Sequence, residues 1–124
     1  MKLTALVIAT VTMCSAPAFA EAVFNPVKSE SQFVEIVEGK DLTLFGISLS
    51  VSPEGKIAGR AFGRDVRGEW KWRDGYFCRD LFWGQRNLGP NCQEVRVNGK
   101  KIRFTSDRGE GRFADLTLRP GRVR

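Results

Sequence analysis

The chain has 124 residues and a formal net charge of +6, and it contains three cysteines but no histidine. Without histidine, Ser-His-Asp and Cys-His nucleophilic catalysis are excluded, together with most zinc and haem sites. A chain of this length forms one domain with a modest core, which favours a stabilising cross-link. We predict no metal centre.

The first twenty residues have the layout of a secretory signal peptide. Lys2 gives a positive start, Leu3–Met13 is apolar, and an Ala-x-Ala pattern ends at Ala20. The apolar stretch is shorter than the about 20 residues that a membrane-spanning helix needs, so no transmembrane segment is predicted. We expect residues 1–20 to be removed and residues 21–124 to form a single β domain. This domain is expected as a monomer in the periplasm of a Gram-negative cell or in the secreted fraction.

The cysteines predict one disulfide. Removal of the leader takes away Cys14, for which lipidation is the alternative role, and leaves Cys78 and Cys92 with only one possible pairing. Small exported domains often use such a bond to supplement a small core. Closing this loop of about 15 residues is worth about 3 kcal/mol in the chain-entropy picture. Two cysteines at this spacing do not suit a metal site or a C-x-x-C redox pair.

The excess of positive charge lies toward the C-terminus. Loss of Lys2 lowers the net charge to +5, from 19 basic and 14 acidic residues, and residues 96–124 hold nine basic against three acidic residues. Such a patch attracts phosphate-rich polymers or anionic membrane surfaces, but a solvated basic face is the simpler interpretation. Nucleic acid is not expected as a partner of an exported protein.

The first element predicted along the chain is a short helix between Lys28 and Gly39. Ser29 and Gln32 form a capping box, apolar residues follow at helical spacing, and Gly39 ends the helix. Its apolar face, with Phe33 and Val37, is expected to lie on a sheet.

The remainder of the sequence predicts strands. In Leu42–Val51 a period of two places Phe45 and Ile47 on one face, and in Val66–Arg73 it places the core aromatics Trp70 and Trp72 on another. Further strands are predicted over Lys56–Gly63, Tyr76–Trp83 and Arg112–Arg119. About seven antiparallel strands are expected, so the fold class is mainly β: a small meander barrel or a sandwich, with one short N-terminal helix.

Asn98-Gly99 predicts a hairpin with a two-residue loop. This register pairs Val95 with Ile102 and places Glu94 opposite Arg103. Apolar residues then share one face of the hairpin.

Candidate binding residues lie on and beside Tyr76–Trp83. Arg79 shares a strand face with Phe77, Leu81 and Trp83, and Arg86 follows within the loop that the disulfide closes. An exposed Trp83 near two guanidinium groups would bind an anionic or sugar-like ligand through stacking and charge. The alternative is that Trp83 is an ordinary half-buried side chain under that loop. The candidate site residues are Tyr76, Arg79, Trp83 and Arg86.

No catalytic residues and no cofactor are predicted. Two carboxylate pairs, Asp74 with Asp80 and Asp107 with Glu110, stand beside turns and arginines, which favours solvated turn residues and ion pairs over acid–base roles. Neither G-x-G-x-x-G nor G-x-x-x-x-G-K-[ST] occurs, so a nucleotide site is not indicated.

Four motifs carry a resemblance over nearly all of residues 21–124: Gly68-x-Trp70-x-Trp72, Gly75-Tyr-Phe-Cys-Arg79, Asn91-Cys-Gln-Glu94 and Phe104-Thr-Ser-Asp107. With them the chain resembles a group of small exported proteins from marine and photosynthetic alphaproteobacteria, whose members often carry the label dihydrodipicolinate reductase. The established reductases of that name are similar to one another in a nucleotide-binding α/β domain with a glycine-rich loop and in basic catalytic residues that include histidine. This chain has neither the loop nor histidine, so none of those residues can be assigned here.

The leading hypothesis is a non-enzymatic domain of the cell envelope that binds a small ligand or an envelope protein. The alternative is an enzyme, either the reductase that the resemblance implies or a carboxylate hydrolase. A third hypothesis is an inhibitor or envelope-stress protein that resembles the small disulfide-bonded lysozyme-inhibitor barrels. Those barrels would be expected to present an acidic surface, which fits a basic domain poorly.

Overall fold

The computed structural model describes residues 4–12 and 23–121. The predicted cleavage point after Ala20, the alternative lipidation site Cys14 and the tail residues 122–124 lie outside these ranges. Residues 4–12 have no regular secondary structure. Within the two ranges, no helix has the length and apolar character needed to span a bilayer.

The predicted helix is confirmed as α1, Glu30–Val37. Its N-cap is Ser29, whose Oγ accepts a hydrogen bond of 3.2 Å from the backbone N–H of Gln32. The Gln32 side chain in turn accepts from the backbone N–H of Lys28 at 3.2 Å. The cap satisfies backbone donors that the first turn leaves free. Phe33 and Val37 are fully buried, as predicted.

Within residues 4–12 and 23–121, nine strands form one antiparallel sheet, which confirms the mainly β meander barrel. Strands β2 to β9 follow each other around the sheet, and β9 pairs with β2, so eight strands close a barrel instead of about seven. The two-residue β1 adds to the edge of β7, and a 3₁₀ turn precedes β9. The strands are β1 Asn25–Pro26, β2 Lys40–Leu44, β3 Ile47–Val51, β4 Lys56–Ala61, β5 Arg64–Arg73, β6 Tyr76–Trp83, β7 Arg86–Asn98, β8 Lys101–Thr105 and β9 Phe113–Pro120.

The single strand predicted over Leu42–Val51 is wrong, because the chain reverses in its middle. Leu44 pairs with Ile47 across a two-residue turn of Phe45 and Gly46. Gly46 adopts a φ of 76°, which glycine reaches at little cost. Phe45 therefore leaves the predicted buried face and is 93% exposed.

The predicted register of the β7–β8 hairpin is also wrong, by two residues. Val95 pairs with Phe104 and Asn98 with Lys101, so the two-residue loop is Gly99-Lys100. A shift of two keeps every side chain on its predicted face, since side chains alternate with a period of two. Glu94 consequently lies opposite Thr105 instead of Arg103.

Arg103 forms its ion pair with Asp115 of β9, with Nε–Oδ1 at 2.7 Å and Nη2–Oδ2 at 3.0 Å. The hydrogen bond from the guanidinium lowers the pKa of the Asp115 carboxyl. This pair links β8 to β9 on the outside of the barrel.

The helix closes one end of the barrel, here called the helix end. Phe33 of α1 points into the interior, with its ring centroid 5.0 Å from Phe77 and 5.2 Å from Trp70. Trp70 is buried, and the half-buried Trp72 stacks on Phe33 at 5.3 Å, as expected of core aromatics. At the opposite end, here called the open end, the β2–β3, β4–β5 and β6–β7 turns have no helix against them.

The predicted disulfide is confirmed. Cys78 of β6 and Cys92 of β7 lie directly opposite each other in the sheet and are bonded. The segment between them is not a loop, since β6 and β7 form a long hairpin that turns at Gly84 and Gln85.

Candidate functional site

An apolar cavity of about 210 Å³ lies inside the barrel. Side chains alternate between the two faces of each strand, so every second side chain points into the barrel. Toward the open end these inward side chains are mostly aliphatic and do not fill the space. The cavity is lined by aliphatic and aromatic side chains from six strands and by two polar residues, Arg79 and Gln93. An interior of this kind accepts an apolar molecule and can orient it through a few polar contacts.

Of the residues that the structure describes, Arg79 is the one charged residue that lines this cavity. It lies in β6 between Phe77 and Leu81 on the same inner face, which places its guanidinium among apolar groups. Its Nη1 donates a hydrogen bond of 2.8 Å to the Gly89 carbonyl oxygen across the hairpin. Burial lowers the pKa of the Arg79 guanidinium, against a smaller opposing effect of the Asp80 carboxylate.

Arg79 forms no ion pair among the residues that the structure describes. The ion pairs there join Lys56 with Glu69, Arg60 with Asp65, Arg96 with Glu94 and Arg103 with Asp115. A guanidinium carries five N–H donors and stays charged in proteins. Arg79 thus offers donors and a positive charge to a cavity that is otherwise apolar.

Gln93 of β7 is the second polar residue of the cavity and is paired with Phe77 across the hairpin. Its Nε2 donates to the Ser106 hydroxyl at 3.2 Å. The disulfide lies one residue from both polar groups, because Cys78 precedes Arg79 and Cys92 precedes Gln93. The covalent bond therefore fixes the two strands at the height where the polar side chains enter the cavity.

A second apolar hollow of about 280 Å³ lies beside the cavity toward the open end. The two share Ile47, Leu49 and Leu81 as walls. Trp83 lines this hollow, and its Nε1 donates 2.8 Å to the Ala61 carbonyl oxygen. The Arg64 guanidinium stacks over the Trp83 ring at 4.7 Å.

The four predicted site residues do not form one group. Arg79 and Trp83 both face the barrel interior, one in the cavity and one in the hollow. Arg86 pairs with Trp83 in the hairpin and is exposed near its turn. Tyr76 is half-buried at the other end of β6, with the Arg108 guanidinium 5.6 Å from its ring. Their roles in binding stay predictions.

Sequence reasoning did not identify Gln93 as a cavity residue. A signal was present, since Gln93 lies two residues before the buried Val95 and hence on the apolar face of the strand. A polar side chain on such a face forms a hydrogen bond either with another residue of the protein or with a bound ligand.

Comparisons with protein-family models, curated proteins and solved structures gave no match to this chain. Its own fold and site define the class: a small antiparallel eight-stranded barrel, closed by a helix at one end, with an apolar interior cavity that holds one unpaired arginine.

Proposed function

We propose that this protein is an exported binding protein for a small amphipathic anion, such as a medium-chain carboxylate. The apolar part of the ligand occupies the cavity, and its anionic group contacts Arg79. The observation that carries this proposal is the half-buried guanidinium that faces an apolar cavity without a counter-ion.

The charge of Arg79 makes an anion the favoured ligand. Removing a cation from water costs free energy that only a nearby negative charge or strong acceptors can offset. A carboxylate suits a guanidinium because it accepts two parallel hydrogen bonds. Gln93 lines the same cavity and stands one position from the disulfide, which holds the pair at a defined spacing.

The walls of the cavity favour a ligand with an apolar body. The lining residues besides Arg79 and Gln93 are Leu42, Leu44, Ile47, Leu49, Val51, Ile57, Phe77, Leu81, Phe104, Ala114 and Leu116. A sugar would place hydroxyl groups against these side chains without acceptors, at a cost for each unpaired group. Of the two ligand types expected from the sequence, the structure therefore favours the anionic one with an apolar body.

Calorimetric titration with decanoate and decanol tests the proposal, because the two probes share a chain and differ in the head group. We expect decanoate to bind the purified protein about tenfold more tightly, or more, since a hydrogen bond to a charged group is worth about 1.5–3 kcal/mol. Replacing Arg79 by methionine should remove this preference while decanol still binds.

Arg67→Met is the matched control. Arg67 lies on the outer face of the neighbouring β5, with its guanidinium 4.6 Å from the Phe82 ring. This variant should bind decanoate as the unmodified protein does. Equal affinity for the acid and the alcohol, or an acid preference that survives in Arg79→Met, would contradict the proposal.

A further inference from the structure

Two of the turns at the open end differ in chemistry from the turns at the helix end. The helix end has polar turns of the ordinary kind, Pro53-Glu-Gly55, Asp74-Gly75 and Gly99-Lys100. At the open end, two neighbouring hairpins turn at Phe45-Gly46 and Phe62-Gly63. Phenylalanine is not a turn-forming residue, and hairpin turns normally carry asparagine, aspartate or glycine at this place.

Exposed apolar side chains are concentrated at this end. Six large hydrophobic residues of 23–121 are exposed, and four of them lie around the open end: Leu44, Phe45, Phe62 and Leu88. We call these four residues the Phe-Gly rim. Phe45 is 93% and Phe62 65% exposed. A clustered apolar patch on the surface marks an interaction site more often than scattered single residues do.

The backbone at Phe62 is unfavourable for its side chain. Phe62 adopts a φ of 50°, in the left-handed region, where asparagine and glycine fit and a bulky residue is an outlier. Its N–H donates 2.8 Å to the Gly46 carbonyl oxygen, which joins the two turns. The fold thus keeps a phenyl ring that is 65% exposed at a position where asparagine would suit the backbone better.

Arginines surround the rim. Arg60 and Arg64 flank the Phe62-Gly63 turn, and Arg86 flanks the β6–β7 turn. Of these three, Arg60 is paired with the Asp65 carboxylate at 2.8 Å. Exposed aromatic rings beside basic residues suit the interface of an anionic bilayer, where rings enter the acyl boundary and arginines meet the lipid phosphates.

The rim is continuous with the interior. Leu44 also lines the cavity, and Phe62 and Leu88 line the adjoining hollow. We propose that the Phe-Gly rim docks the open end of the barrel on the surface of an anionic lipid bilayer. Docking needs no ligand in the cavity, so the inference does not depend on the proposed function.

Co-sedimentation of the purified protein with phospholipid vesicles tests the docking. The probe vesicles contain phosphatidylcholine alone or phosphatidylcholine with phosphatidylglycerol. We expect the protein to bind the anionic vesicles and to bind the neutral ones more weakly. The double variant Phe45→Asn/Phe62→Asn should lose about tenfold or more in affinity, given the free energy of burying two phenyl rings.

Phe113→Asn is the matched control. It removes a phenyl ring of similar exposure, 59%, and this ring is not part of the Phe-Gly rim but stacks on Arg103 at the outer wall of the barrel. It should bind vesicles as the unmodified protein does. The double variant should unfold at the same temperature or a higher one, because asparagine suits the left-handed backbone of Phe62 and Phe45 is 93% exposed, so weakened binding cannot be attributed to misfolding. Unmodified protein that stays in the supernatant, or a Phe113→Asn loss equal to that of the double variant, would overturn the proposal.

Discussion

Phe77 and Arg79 are neighbouring inward-facing side chains of β6, and the proposed function gives them different roles, Phe77 in stabilising the fold and Arg79 in binding the ligand. Phe77 is 3% exposed and packs against Phe33 and Trp70. Arg79 is half-buried, and burial lowers the pKa of its guanidinium. A buried ring stabilises the fold by removing apolar area from water, whereas a partly desolvated cation without a counter-ion does not.

Unfolding by urea distinguishes these two roles. We expect Arg79→Met to change the free energy of unfolding by less than about 1 kcal/mol, because methionine fits the apolar wall and removes a charge. Phe77→Ala should lower the same quantity by about 3–5 kcal/mol, since it leaves a cavity in the core. A loss for Arg79→Met as large as that for Phe77→Ala would show that Arg79 is structural.

At the scale of elements, the β6–β7 hairpin holds the site together. It supplies Arg79 and Gln93, and the Cys78–Cys92 bond joins its strands one residue away from each. Arg79 also donates across this hairpin to Gly89. We therefore expect the disulfide to contribute both to stability and to the spacing of the polar groups.

Replacing both cysteines by alanine tests this double role. We expect the free energy of unfolding to fall by about 3 kcal/mol, the chain-entropy value for a loop of this length. Decanoate affinity should fall as well, because the strands that carry Arg79 and Gln93 are no longer fixed. Thermal unfolding and calorimetry measure the two effects. Lost stability with unchanged affinity would limit the bond to a structural role.

The elements that could be predicted from the sequence are those in which capping residues, hydrophobic periodicity and turn residues all indicate the same structure. The capping box of Ser29 and Gln32 predicts α1, and strict alternation predicts β5. The Asp74-Gly75 turn that follows β5 predicts the start of the strand Tyr76–Trp83. The β2–β3 turn was missed because the period of two runs through Phe45-Gly46 without interruption. The first half of β7 was missed because Gly89-Pro90 is typical of a turn.

The β7–β8 register shows a further limit of sequence reasoning. Alternation specifies the buried face of a strand but does not distinguish registers that differ by two residues. The residue preferences of the turn decide between these registers. Gly99 occupies the first loop position with a φ of 56°, and a type II′ turn favours glycine at that position.

At the scale of the whole molecule, the barrel has a packed half and an open half. Aromatic rings around Phe33 fill the helix end, while aliphatic side chains leave a cavity toward the open end. The barrel class follows from many short strands with local turns. The cavity could not be predicted, because its walls come from strands far apart in sequence that meet only when β9 pairs with β2.

The most direct test of the central claim is the pKa of ¹³C-carboxyl-labelled decanoate bound to the protein, followed by NMR as the pH is varied. An apolar cavity alone raises a carboxyl pKa, and a contacting guanidinium lowers it. We expect the bound carboxyl to titrate below its value in free solution, and above that value in Arg79→Met. A bound carboxyl that titrates above its free value in the unmodified protein would contradict contact with Arg79.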